Sequence, residues 1–173
     1  YYFTHFYGTD YRARRIRDRI VALEGKPITV SDMSSIHGDT VSIPAEALSR
    51  AIITLSDLIE PYSIALDEIK TWNYDLGVDS PAPAIYEASS RELNKLLAIS
   101  AYGSLAAGVT GESSDSGAED HLRRQLKPDF IRRLSEGLLD NAPYGFDTTN
   151  MVRNAFVAGV DYLIGRFGYD MRN

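Results

Sequence analysis

Apolar residues along the chain recur at helical spacing, and the stretches between them carry helix-stopping residues. Residues 1–8 are aromatic and irregular. Asp10 is placed to cap a helix running to about Glu24, with Ile16, Ile20 and Leu23 as its stripe, before Gly25, Lys26 and Pro27 stop it. A short helix from Thr29 or Ser31 carries Met33 and Ile36 and ends at Gly38. Ser42 with Pro44 opens another, whose face runs Leu48, Ile52, Leu55, Ile59 until Pro61 closes it. Ser63 to Trp72 repeats the pattern with Ile64, Leu66 and Ile69. The Gly- and Pro-containing stretch 73–83 reads as a connection. A long helix then extends to about Ala98 with Tyr86, Leu93 and Leu97 aligned. Residues 103–118, rich in Gly, Ser and acids, are expected to form a mobile surface loop. Lys127-Pro128-Asp129 starts a helix bearing Ile131, Leu134 and Leu138. Thr148 or Thr149 is expected to cap the last one, which stacks Val152, Phe156, Val160, Leu163 and Phe167 before Gly168. No alternating strand pattern stands out. The expected fold is all-α: an orthogonal bundle of about seven helices forming one domain over residues 1–173.

Composition narrows the function classes. The formal net charge of −6 gives no global support to nucleic-acid binding. With no cysteine, disulfides, thiolate metal sites and a Cys nucleophile are excluded. No apolar run approaches the roughly 20 residues of a membrane span, so no membrane partner is expected. The start, Tyr1-Tyr2-Phe3-Thr4-His5, has no initiator Met, basic segment or small-residue cleavage site and reads as truncated or processed.

The densest charge feature is Tyr11-Arg12-Ala13-Arg14-Arg15-Ile16-Arg17-Asp18-Arg19. Helical spacing puts Arg12, Arg15 and Arg19 near one face, with Arg14 and Arg17 elsewhere. The plain reading is a solvated face with a few salt bridges, each worth under ~1 kcal/mol. His5, His37 and His121 lack the spacing of a helical metal site. Asp75 and Asp79 flank a Gly-containing loop, but the alternating oxygen ligands of a calcium loop are missing. No metal site is assigned. No nucleophile-elbow pattern occurs. Trp72, Phe156 and Phe167 are most simply core residues.

Several blocks, in order, resemble the penicillin amidase family. Tyr11-Arg12-Ala13-Arg14-Arg15-Ile16 is similar to the family's "tyrosine, Arg-Ala, any residue, Arg-Ile" helix start. The segment Ile28 to Ser42 resembles a "Thr-any-any-Asp" helix leading to "Ile-Gln-any-Asp" and a Ser. Ala45 to Leu58 matches the next helix. Leu66 to Ser80 contains Trp72-Asn73-Tyr74 and Asp79-Ser80, where relatives have Trp-Asp-Gly and Asp-Ser, and residues 84–88 continue it. Phe167-Gly168-Tyr169-Asp170 resembles the approach to a Trp-rich motif. The chain departs from the pattern at His37, where relatives usually have Gln, and at Asn73, where many have Asp.

The resemblance implies a helical insert from the β-chain part of an N-terminal-nucleophile hydrolase, excised from its α/β/β/α sandwich. In such an enzyme the nucleophile is the Ser at a self-cleaved N-terminus, which Tyr1 does not supply, so this chain alone is expected to be inactive. Implied partners are the rest of the acylase (α-chain and β-chain core) and a small-molecule N-acyl substrate, with no nucleic acid. An exposed apolar face is expected where the sandwich packs, and a homodimer through it in the sandwich's absence. The family suggests an extracytoplasmic location and a place in antibiotic metabolism. Relatives often carry calcium, with ligands mostly outside this segment, and no cofactor is assigned to this chain. One residue is implied in supporting catalysis: Arg15, directly before Ile16, with Arg12 and Arg14 as alternatives under a shifted alignment. The rival reading is a non-enzymatic helical module that binds a ligand or protein.

Overall fold

The computed structural model describes residues 10–102, 127–135 and 147–169. The expected loop at 103–118, His5, His121 and Leu138 lie outside them. Among the described residues there are seven helices and no sheet: α1 (Tyr11–Val21), α2 (Val30–His37), α3 (Ile43–Ile52), α4 (Tyr62–Thr71), α5 (Ala82–Tyr102), α6 (Lys127–Ser135) and α7 (Thr148–Phe167). The all-α bundle read from the sequence is what forms. No helix among them is long and apolar enough to cross a membrane.

The longest helices, α5 and α7, make the principal packing pair. Gly159 of α7 lies directly on the α5 backbone at Ala88 and Ser89: a Cβ there would sit 2.5 Å from the Ser89 nitrogen. Around this crossing Ile85, Leu93, Phe156 and Val160 are fully buried. Ser89, in the same buried interface, donates its hydroxyl back to the Ile85 carbonyl (2.7 Å), which satisfies it within its own helix. Helices α3, α4 and α6 close the core with Leu48 and Ile52, Leu66 and Ile69, and Phe130 and Ile131. Polar clips tie α7 to the α3–α4 region. Tyr62 donates to Asp161 (2.9 Å), and that bond raises the phenol's pKa, while Arg153 donates to the Ser56 carbonyl (2.7 Å).

Element ends differ from the sequence reading in places. α3 stops at Ile52 instead of running to Ile59. Thr54 bonds back to the Ala51 carbonyl, and Asp57 adopts a positive φ of 57° that no helix accommodates. Leu55 still reaches the core through this turn, but Ile59 is 75% exposed. The cap of α7 is Asp147, whose carboxylate accepts the Asn150 N–H (3.0 Å), and not Thr148 or Thr149. A carboxylate also suits the positive end of the helix dipole better than a hydroxyl. Phe167 is not a core residue: it sits at the end of α7, exposed, with the Arg166 guanidinium over its ring. Gly168 then ends the helix at φ 88°, its N–H on the Ile164 carbonyl (2.8 Å). In α4 the core is reached by Ala65, Leu66 and Ile69, and Ile64 points outward.

α1 is unlike the rest. None of its residues is buried, and Ile20 and Val21 remain exposed, as do Val30 and Met33 in α2. Apolar burial therefore does little to place α1. Its docking is polar, and that docking builds the candidate site.

An arginine cluster on a buried carboxylate as the candidate functional site

The site begins with the local rules that set α2. Thr29 caps its start in a capping box: the Thr29 hydroxyl accepts the Asp32 N–H (3.2 Å) and Asp32 accepts the Thr29 N–H (2.8 Å). The hydrogen bond from the Thr29 hydroxyl, with that from its backbone, holds the Asp32 carboxyl below its ordinary pKa. At the far end, Gly38 breaks the helix and leaves carbonyls without intrahelical partners. Arg12 of α1 fills that role. Its terminal nitrogens donate to the carbonyls of Asp39 (2.9 Å), Ile36 (3.1 Å) and His37 (3.1 Å). A cation at a helix C-terminus also meets the negative end of the dipole.

Asp39, just beyond, is the hub. Its side chain is only 3% exposed. One oxygen accepts Arg15 Nε (3.1 Å) and the Val41 N–H (3.0 Å). The other contacts Arg15 Nη2 at 2.9 Å and Arg19 Nε at 3.5 Å. Arg15 therefore faces both oxygens with the Nε/Nη2 edge of its guanidinium, hydrogen-bonding one through Nε and lying in ion-pair contact with the other. Arg19 also donates to Ser35 of α2. Burial pushes the Asp39 carboxyl up, but the hydrogen bonds from Arg15 and Val41 and the charges of Arg15 and Arg19 outweigh it, leaving the group below the usual carboxylate value.

The same connection is stitched to the segment after α4. Val41 and Asp75 form an isolated antiparallel bridge. Ser42 N–H donates to the Tyr74 carbonyl (3.0 Å) and Leu76 N–H to that of Thr40 (3.2 Å). The Asp75 carboxylate accepts from the Thr40 hydroxyl and from Gly77 N–H (3.0 Å). Trp72 anchors the segment from below: its ring is buried, its indole N–H donates to the Asp75 carbonyl (2.7 Å), and Tyr74 and Tyr86 pack on it at 5.8 and 5.7 Å. Burial pushes the Tyr86 phenol up to about 12, keeping it neutral at the back of this corner. Asn73 Oδ1 accepts the Asp75 N–H (3.1 Å), a turn contact that an aspartate could equally make.

Three blocks far apart in the chain, the arginine helix, residues 36–42 and residues 72–77, thus meet in one corner. The face predicted for Arg12, Arg15 and Arg19 is real. It is more than a solvated face, however, because all three side chains, though they reach solvent, converge on Asp39 or the carbonyls beside it. Arg17 fits the plain surface reading, paired with its neighbour Asp18 in solvent. Arg14 is exposed and apart from the cluster, its backbone N–H on the Asp10 carbonyl. His37 enters through its carbonyl, and Asp75 serves as an acceptor for Thr40 and Gly77. Among the described residues no three His, Asp or Glu side chains gather as a metal site. Asp39 was not singled out from the sequence. The signal was an arginine face at helical spacing on a helix whose single acid, Asp18, pairs with Arg17 instead.

The arginine helix is thus pinned at the junction of two interhelical connections of the bundle, residues 36–42 and 72–77. The penicillin amidase family model matches residues 1–173, the whole chain. The chain belongs to that family, and the family points to a hydrolase. No curated protein matches the chain.

Proposed function

We propose that the chain is the helical lobe of a penicillin-acylase-like amidohydrolase, which cleaves an N-acyl amide through an acyl-enzyme. The observation that carries this is the family match over residues 1–173. It is supported by the way the blocks that resemble the family, starting at Arg12, Ile28 and Leu66, converge in space.

In this reading an N-terminal Ser from polypeptide outside these residues attacks the amide carbonyl, with its own α-amino group as base. A backbone N–H and an Asn, also outside this chain, stabilise the oxyanion, a contribution of about 3–4 kcal/mol per donor in such sites. Water then hydrolyses the acyl-enzyme. The substrate class is an N-acyl compound: a β-lactam side chain, an acyl-homoserine lactone or an acylated peptide. The rest of the acylase packs against the lobe and covers surface that includes Ile20, Val21, Val30 and Met33. The enzyme works outside the cytoplasm.

Arg15 contributes the supporting guanidinium. With its Nε/Nη2 edge on Asp39, its outer edge has a fixed direction from which to hold the nucleophilic amine or the oxyanion Asn. Arg12 is the first alternative, although both of its terminal nitrogens already donate to backbone carbonyls at and just beyond the end of α2. Arg14, outside the cluster, is the second. The test is turnover of a chromogenic acyl amide by the full-length enzyme. Arg15→Lys should cut kcat more than tenfold with folding intact, and Arg12→Lys less. Unchanged turnover per folded Arg15→Lys molecule removes Arg15 from the site. The 173-residue chain alone should give no turnover, and activity in it would refute the assignment of the nucleophile to other polypeptide.

A further inference from the structure

We infer that Asp39 is a positioning residue for the supporting guanidinium, acting through its buried carboxylate. The inference rests on the proposed amidohydrolase reading. Three observations lead to it. None of the residues of α1 is buried, so close apolar packing does not set the direction of its arginines. The cluster sets it, and all three of its arginines contact residue 39. Arg15 hydrogen-bonds one carboxylate oxygen through Nε and sets Nη2 against the other at 2.9 Å, Arg19 reaches one of them, and Arg12 takes the backbone carbonyl of the same residue. The carboxylate is itself immobile: 3% exposed, fixed by the Val41 N–H, and followed by a connection bonded to Tyr74, Asp75 and Leu76. A buried carboxylate is a poor device for stability alone, since its desolvation offsets much of the ion-pair gain. It is a good device for orientation, because a guanidinium held at two points cannot rotate about its stem. Displacements near 1 Å at a supporting group are enough to lower turnover on the order of a hundredfold.

The test uses the full-length enzyme with Asp39→Asn and Asp39→Glu, reading kcat and KM per folded molecule beside thermal melts. Asparagine keeps shape but loses the charge and one acceptor. Glutamate keeps the charge on a longer stem. Asp39→Asn should lower kcat at least tenfold with KM within threefold, and Asp39→Glu should restore part of the loss. A purely structural carboxylate would lower the melting temperature and leave kcat per folded molecule within twofold, which overturns the inference. A rise in KM alone also overturns it. Should Asp39→Asn fail to fold, Asp39→Glu decides: a reduced kcat at unchanged KM supports positioning, and wild-type kcat refutes it. If the wild-type enzyme cleaves no N-acyl amide, the amidohydrolase reading fails first and this inference falls with it.

Discussion

The crossing of α5 and α7 permits a sharp test of what holds the bundle together. At Gly159 an added Cβ would lie 2.5 Å from Ser89 N, 2.8 Å from Ser89 Cα and 2.9 Å from the Ala88 carbonyl carbon. All three are backbone atoms, so no side chain can swing aside. Reaching the 3.4 Å of an ordinary contact requires the helices to part locally by about 0.9 Å. A gap of that size forfeits a quarter to a half of each dispersion contact that it opens, and Ile85, Phe156 and Val160 lie in that interface. Overpacking of this kind costs about 1–3 kcal/mol, towards the upper end where the backbone must move. Alanine returns about 0.8–1.0 kcal/mol through helix propensity. The net expectation for Gly159→Ala is a loss of about 2 kcal/mol. At about 2–4 °C per kcal/mol for a chain of this size, the melting temperature should drop by about 4–8 °C. Gly165 is the internal control: on the same helix, nothing lies within 4 Å of its Cβ position. Gly165→Ala should therefore stabilise by up to about 1 kcal/mol. Urea titrations followed by the fluorescence of Trp72, the only tryptophan, and by circular dichroism give both values. If Gly159→Ala stabilises the chain as Gly165→Ala does, the close approach of the helices is wrong.

Other outcomes follow from the same contacts. Because the folded Asp39 carboxyl holds its proton less tightly than the unfolded one, its contribution is complete above about pH 4 and fades as pH falls through the lowered folded value. Asp39→Asn should flatten that acid limb of urea midpoints and cost about 1–2 kcal/mol at pH 7, less than a fully buried pair because Arg15 and Arg19 reach solvent; an unaltered limb refutes this. Thr29→Ala, which dismantles the capping box of α2, should cost about 1 kcal/mol by urea midpoint, with little dependence on salt. Phe156→Ala, at a position with no exposure, should cost about 3–5 kcal/mol, and a loss under 1 kcal/mol would place Phe156 outside the core.

Much of this protein was legible before any coordinates. Helical spacing of apolar residues is a local property, so α5 with Tyr86, Leu93 and Leu97, and α7 with Val152, Phe156 and Val160, stand where the pattern put them. Stops at Gly38 and Gly168 and starts at Thr29 and Ser42 follow from backbone chemistry within a few residues. The pattern overran at Ile59 because apolar spacing continues through a turn that the left-handed backbone of Asp57 imposes. It misplaced Phe167 because periodicity does not reveal where the neighbouring helices end.

The arginine face was visible as a face, and its meaning was not. Whether Arg12, Arg15 and Arg19 meet water or an acid depends on a residue 20 or more positions away. The local sequence determined which residues share a side of each helix, because that depends on backbone periodicity alone. Tertiary structure decided that α5 and α7 touch at Gly159 and that the guanidiniums of Arg15 and Arg19 close on one buried carboxylate while that of Arg12 takes the carbonyls beside it. Both are encounters between distant segments, settled by packing and desolvation across the whole chain.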